Sequence, residues 1–193
     1  MLSISNDRSP TIDERILEAA AHCVMAYGVD RVTLAEIARR ARVSRPTIYR
    51  RWPDTQSILA ALLTSRIVRV LDEMPAGDVG RDALVARIVG VSQRLRADEV
   101  VMSVLLKAPE LAMVYIAERL GTSQQILIDA VAAAVKLAQE EGSVRGGDPR
   151  QLAAMCLLIT QSTIESAQMV APILDADALA GELGHSLNGY LKP

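Results

Sequence analysis

The sequence predicts an all-α protein of about nine to ten helices, with an N-terminal three-helix head and a C-terminal helical bundle. Three observations carry that expectation. Hydrophobic residues make up 50% of the 193, yet aromatics are 3% and Phe is absent, so the core must be built from Ala, Leu, Ile, Val and Met. Ala and Leu favour helix, whereas strand-rich cores use more aromatics. Apolar residues recur every three to four positions, with no alternating strand pattern. Cap-like residues and Gly or Pro breaks punctuate the chain at helix-length intervals.

Residues 1–10 read as a disordered lead-in. Thr11 and Glu14 have the spacing of a capping box, a hydroxyl at the cap and a carboxylate three residues on. Ile16, Ala20, Val24 and Tyr27 then mark one face of a first helix that Gly28 ends. Thr33 and Glu36 repeat the box. Leu34, Ile37, Ala38 and Ala41 form the buried stripe of a second, short helix. Arg42 and Val43 make a tight connection to Ser44, a third cap. Pro46 falls in the first turn of the next helix, where a missing N–H costs nothing, and that helix is expected to run to about Trp52, before Pro53. Asp54 or Thr55 caps a long fourth helix to about Asp72. Further helices are expected at about 80–96, 98–106, 109–119, 122–141, 148–170 and 175–190, separated by Pro109, Gly121, the stretch from Gly142 to Pro149, and Pro172.

Charge is distributed unevenly. The formal net charge is −2, but Arg31–Arg51 holds seven Arg against Glu36 alone, a local net of +6, while residues 56–193 hold 12 Lys or Arg and 16 Asp or Glu. A basic segment on an acidic body points to one localised polyanion contact. Two short helices, a tight turn and a basic second helix form the helix-turn-helix pattern. At 100° per residue, Ile48 and Trp52 of the third helix point inward, and Pro46, Thr47 and Arg50 point outward. Arg45 and Tyr49 flank that face on one side and Arg51 on the other. Arg can fork onto guanine O6 and N7, and Thr can offer a hydroxyl or a methyl. Tyr49 and the other arginines can reach phosphates, as can Thr33 at its helix start.

Other functions find little support. The chain has two Cys and two His, without metal-ligand spacing, so no disulfide framework, metal or cofactor is expected, and reduced thiols are the simpler reading. No nucleophile elbow, phosphate-binding glycine loop or zinc-protease motif is present, so the protein is not expected to be an enzyme. No stretch of roughly 18 uninterrupted apolar residues occurs, and the N-terminus has no apolar leader region. No membrane partner and a cytoplasmic location are therefore expected.

Ile16-Leu17-Glu18-Ala19-Ala20, Tyr27-Gly28, Val32-Thr33-Leu34-Ala35-Glu36-Ile37-Ala38, Ala41-Arg42-Val43-Ser44 and Pro46-Thr47-Ile48-Tyr49-Arg50-Arg51-Trp52 together resemble the head of TetR/AcrR-family transcriptional regulators. The resemblance covers about residues 11–63. It implies a helix-turn-helix DNA-binding domain at 11–54 and a ligand-binding and dimerisation domain at 55–193. The DNA contacts would map onto Thr33, Ser44, Arg45, Thr47, Tyr49, Arg50 and Arg51. Two positions depart from the family pattern. Arg42 stands where Gly is frequent, and Thr55 stands where many members carry a phosphate-binding Lys, which leaves Arg50 and Arg51 as substitute anchors.

The resemblance further implies a homodimer on a palindromic, double-stranded operator, most often as a repressor that a small-molecule inducer releases. One short reading helix covers only a few base pairs, so two heads reading half-sites about a helical turn apart, or multiples of it, are needed. The last two helices are the expected dimer seam, with Leu152, Met155, Ile159 and Thr163 on one and Leu183 and Leu187 on the other. The inducer pocket is expected among apolar, pliable side chains, Met102, Leu105, Leu106, Met113 and Ile116, with Tyr115, Gln161 and Ser162 as polar groups. The inducer would be small and mostly apolar. The rival reading is a helical small-molecule carrier or scaffold whose head no longer reads DNA.

Overall fold

The computed structural model describes residues 10–74, 78–107 and 121–193. Among them are ten α-helices and no strand. These are α1 (Ile12–Tyr27), α2 (Leu34–Ala41), α3 (Arg45–Tyr49), α4 (Thr55–Glu73), α5 (Arg81–Ala97), α6 (Glu99–Lys107), α7 (Thr122–Glu140), α8 (Pro149–Glu165), α9 (Ala167–Val170) and α10 (Ala176–Leu191). A 3-10 turn at Val29–Arg31 precedes α2. The helix expected at 109–119 lies outside the described residues. The chain divides into two compact units after Leu62, within α4.

In the first unit the caps dictate the helix starts. The Thr11 hydroxyl accepts from the Glu14 N–H (3.2 Å), and the Glu14 carboxylate accepts from the Thr11 N–H (2.6 Å), which completes the first box. The second box is only half made. Thr33 accepts from the Glu36 N–H, but the Glu36 carboxylate turns to Arg39, whose guanidinium donates to it at 2.5 and 2.9 Å. A charge-assisted fork outcompetes a single backbone N–H. Asp54 caps α4 by accepting from the Ser57 N–H (2.7 Å). Ile16, Ile37, Ile48 and Ile58 are fully buried and form the centre of this unit. α1 packs on α2, and α2 on α3. Trp52, expected in the core, is half-buried. α3 stops at Tyr49, three residues short of the expected end, where the Arg51 N–H bonds the Ile48 carbonyl only three residues back, ahead of Pro53.

In the second unit α5, α7, α8 and α10 surround one core made of Leu84, Val85, Ile88, Val135, Leu152, Cys156, Leu183, Leu187 and Leu191, with Ala138 and Val144. The C-terminal helix is fastened at both sides. Arg145 donates to the Tyr190 carbonyl (2.8 Å) and stacks over the Tyr190 ring (4.6 Å), while Arg81 donates to Asn188 (3.1 Å). The single helix expected at 148–170 is broken at Ser166. Upstream of the break the Thr160 and Thr163 hydroxyls bond back to carbonyls four residues earlier, a contact that bends helices.

Candidate nucleic-acid interface and ligand cavity

The reading surface starts at Ser44, whose extended backbone places its hydroxyl over the open turn of α3. It accepts from the Thr47 N–H (3.3 Å) and lies 2.7 Å from the Thr47 hydroxyl, so the two share one hydrogen bond. Ile48 is buried and anchors the inner face of the helix. Arg45, Tyr49 and Arg50 are exposed around it, Tyr49 at 52%. Among the described residues neither Arg45 nor Arg50 is tied to a carboxylate. An exposed cation without an internal partner gives up nothing on meeting a phosphate or a guanine.

Arg51 differs. Its Nε lies 2.5 Å from Asp13 Oδ1 on α1, and its side chain is 30% exposed. It fastens the end of the reading helix to α1, so a phosphate would have to compete with Asp13 for it. Arg15, also on α1, donates to the Ala41 carbonyl (2.8 Å) at the end of α2. Both contacts join segments far apart in sequence, and no spacing rule signals them. Between them sits Arg42 at φ +54°, the one non-glycine residue with positive φ among the described residues. The short turn requires a left-handed residue, and this chain supplies it without glycine, at a cost of about 1 kcal/mol. Thr33 caps α2 as expected. Next to it, hydrogen bonding from Arg39 holds the Glu36 carboxyl below its usual range, which keeps that fork charged.

At the Lys position of the family, Thr55 opens α4 directly after its Asp54 cap.

The second unit holds a partly open cavity of about 130 Å³. Its walls are overwhelmingly apolar and come from five helices: Leu63, Ile67 and Leu71 on α4, Val91 and Leu95 on α5, Leu105 on α6, Leu127 and Val131 on α7, and Leu157 and Ile164 on α8. Of the expected pocket residues, Leu105 and Gln161 line it. Met102, Leu106 and Ser162 do not, and Leu106 is 39% exposed. Met113, Tyr115 and Ile116 lie outside the described residues. The described wall is therefore aliphatic rather than Met-rich. Sequence reading missed its polar members, Arg87, Ser92, Ser123, Gln124, Thr160 and Glu165. Cys156 also faces it, and burial pushes its thiol up to about 11, so the sulfur is neutral near pH 7.

The expected dimer residues separate into two groups. Leu152, Leu183 and Leu187 are buried in the core of their own chain and have no surface to offer a second copy. Ile159 packs against that core. Thr163 is half-buried, and its hydroxyl bonds to the Ile159 carbonyl. Met155 is 41% exposed, and its neighbour Leu158, which sequence reading did not single out, is 59% exposed. The cause is simple: leucines at helical spacing look the same whether they face an internal core or a partner.

Residues 16–62 match the family model described as bacterial regulatory proteins, tetR family. The HTH-type transcriptional regulator Rv2250c of Mycobacterium tuberculosis is 64% identical over 191 residues, covering 99% of this chain and 100% of that protein. The transcriptional repressor QsdR of R. erythropolis superposes with a TM-score of 0.68 at 16% identity, over 95% of this chain and 98% of its own. RolR, solved in complex with resorcinol, gives 0.69 at 16% identity over 93% and 87%. The latter two likenesses speak for the fold, and the first, with the matched head, for the family. The chain belongs to the tetR family of helix-turn-helix transcriptional regulators.

Proposed function

We propose that this regulator is a one-component, ligand-responsive repressor, cytoplasmic, which binds a palindromic operator as a homodimer and leaves it when a small, mostly apolar inducer enters the body. One observation carries the reading: the chain that holds an outward Arg and Tyr surface on α3 also holds a mostly apolar cavity walled in part by α4. In the proposed division of labour, Arg45, Thr47 and Arg50 read bases or their flanking phosphates. Ser44, Tyr49 and the start of α2 at Thr33 hold the backbone, and Arg51 both anchors α3 and reaches a phosphate. α4 begins in the first unit and contributes Leu63, Ile67 and Leu71 to the cavity wall in the second. A ligand preferring one position of that helix biases the heads by its differential affinity, without touching DNA. Dimerisation is assigned to the exposed apolar positions Met155 and Leu158 of α8.

Fluorescence anisotropy with DNA from upstream of the protein's own gene tests this. Binding with two heads per site, weakened by a ligand that occupies the body, is the expected result. A saturating ligand that leaves operator affinity unchanged would sink the release mechanism. Absence of any DNA binding would favour the carrier reading, for which Thr55 in place of Lys is the one supporting feature.

A further inference from the structure

The polar groups of the cavity are not scattered. The Gly121 N–H donates to Gln124 Oε1 (2.9 Å), Gln124 Nε2 donates to Gln161 Oε1 (3.0 Å), and Gln161 Nε2 donates to Glu165 Oε1 (2.9 Å). Gln124, Gln161 and Glu165 all line the cavity, and Gln124 is buried at 8% exposure. Each amide in this chain accepts on its oxygen and donates onward from its nitrogen, so the bonds point one way and converge on one carboxylate. Glu165 Oε2 takes no bond from a described residue. What the chain still offers at its end is an acceptor. Glu165 is half-buried, and a ligand that displaces water from it gains most by bringing a donor, because a second acceptor would face the carboxylate without a hydrogen bond.

Size and charge narrow the class. About 130 Å³ is close to the roughly 150 Å³ of an engineered apolar cavity that takes up benzene. Among the described residues Arg87 and Glu165 give the wall one cation and one carboxylate, which balance, and a neutral molecule loses least on leaving water. We infer that the inducer class is a neutral, ring-sized, apolar molecule bearing a hydroxyl, of phenol type, whose O–H donates to Glu165 at the end of the Gln124–Gln161–Glu165 chain. This rests on reading the cavity as the ligand site.

Isothermal titration calorimetry of the full chain with phenol, anisole, toluene and benzoate tests it. Phenol should bind once per chain and roughly tenfold or more tighter than anisole or toluene, the usual size of one hydrogen bond to a charged group. Glu165→Leu should erase that preference while toluene affinity and operator binding persist, which shows the variant folded. Glu165→Gln, which keeps a carbonyl acceptor, should restore part of the preference. If anisole or toluene equals phenol, or benzoate binds tighter, the hydroxyl class is wrong while the cavity stands as a ligand site. If none of the four binds, both the class and the cavity's role as a ligand site fall.

Discussion

The head and the body of this regulator start their helices alike and differ in what the helices are packed around. In the head, each helix is started by a side chain acting over three residues: Thr11, Thr33, Ser44 and Asp54 each accept from a backbone N–H three positions on. In the body, Asp98, Asp148 and Asp175 cap α6, α8 and α10 in the same way, but α5 begins on Gly80 without a side-chain cap, and a leucine core and clamps such as Arg81 to Asn188 hold the helices together. Local caps therefore start helices in both units, and the second differs in its uncapped α5 and in the leucine core that α5, α7, α8 and α10 share.

Core truncation should separate the two most strongly. Leu187→Ala should cost about 2–5 kcal/mol, read by chemical denaturation, because Leu187 is fully buried among α5, α7 and α8 side chains. Met155→Glu, one helix away on an exposed position, should leave unfolding within about 0.5 kcal/mol and instead shift the sedimentation of the protein toward monomer. If Leu187→Ala proved mild and changed only oligomeric state, the leucines of α10 would be a seam after all.

Alkali should act next, and on the body through Cys156. Its thiol titrates near 9.0 when unfolded and about 11 when folded. Below pH 9 both states are neutral and nothing changes. Between 9 and 11 the unfolded state loses its proton first, so stability falls as pH rises, by at most about 2–3 kcal/mol. Urea titrations at pH 8 and pH 10.5 should show a larger loss for the native chain than for Cys156→Ser. Native-state alkylation of Cys156 should be slow for the same reason.

Arg50→Ala should weaken operator binding by about 1–3 kcal/mol and relax sequence preference, with no change in melting temperature. Arg51→Ala should lower both affinity and melting temperature, since it also breaks the pair with Asp13. Equal thermal effects for the two would remove the distinction drawn between a reading and a fastening arginine. The smallest change expected is a gain: Arg42→Gly should stabilise the head by about 1 kcal/mol, as the left-handed turn no longer carries a Cβ.

Local caps and shared packing also differ in what could be read in advance. Helix existence and the caps at Thr11, Ser44 and Asp54 were legible, because hydroxyl or carboxylate spacing is a local signal. The second half of the Thr33 box was not, since Arg39 competes for Glu36 and nothing in the spacing ranks the two partners. The Asp13–Arg51 and Arg15–Ala41 contacts join residues 38 and 26 positions apart, beyond any periodicity. In the body, Leu152, Leu183 and Leu187 show the helical spacing expected of a seam, but spacing carries no information on which partner covers them. The cavity was hardest to foresee. Its described walls come from five helices, so single-helix patterns located Leu105 and Gln161 and overlooked the α4 and α5 walls.

In the proposed DNA contact, the hydroxyl pair at the start of α3 has a consequence for what it can read. Ser44 and Thr47 lie 2.7 Å apart, and either oxygen can hold the proton between them. Turning both hydroxyls around exchanges which one presents a hydrogen and which a lone pair to the groove. The same two side chains can therefore satisfy a donor, such as the amino group of cytosine or adenine, or an acceptor, such as guanine O6 or thymine O4. Operator variants should accordingly be tolerated at the base pair opposite this pair, while the positions under Arg45 and Arg50, which can only donate, stay fixed.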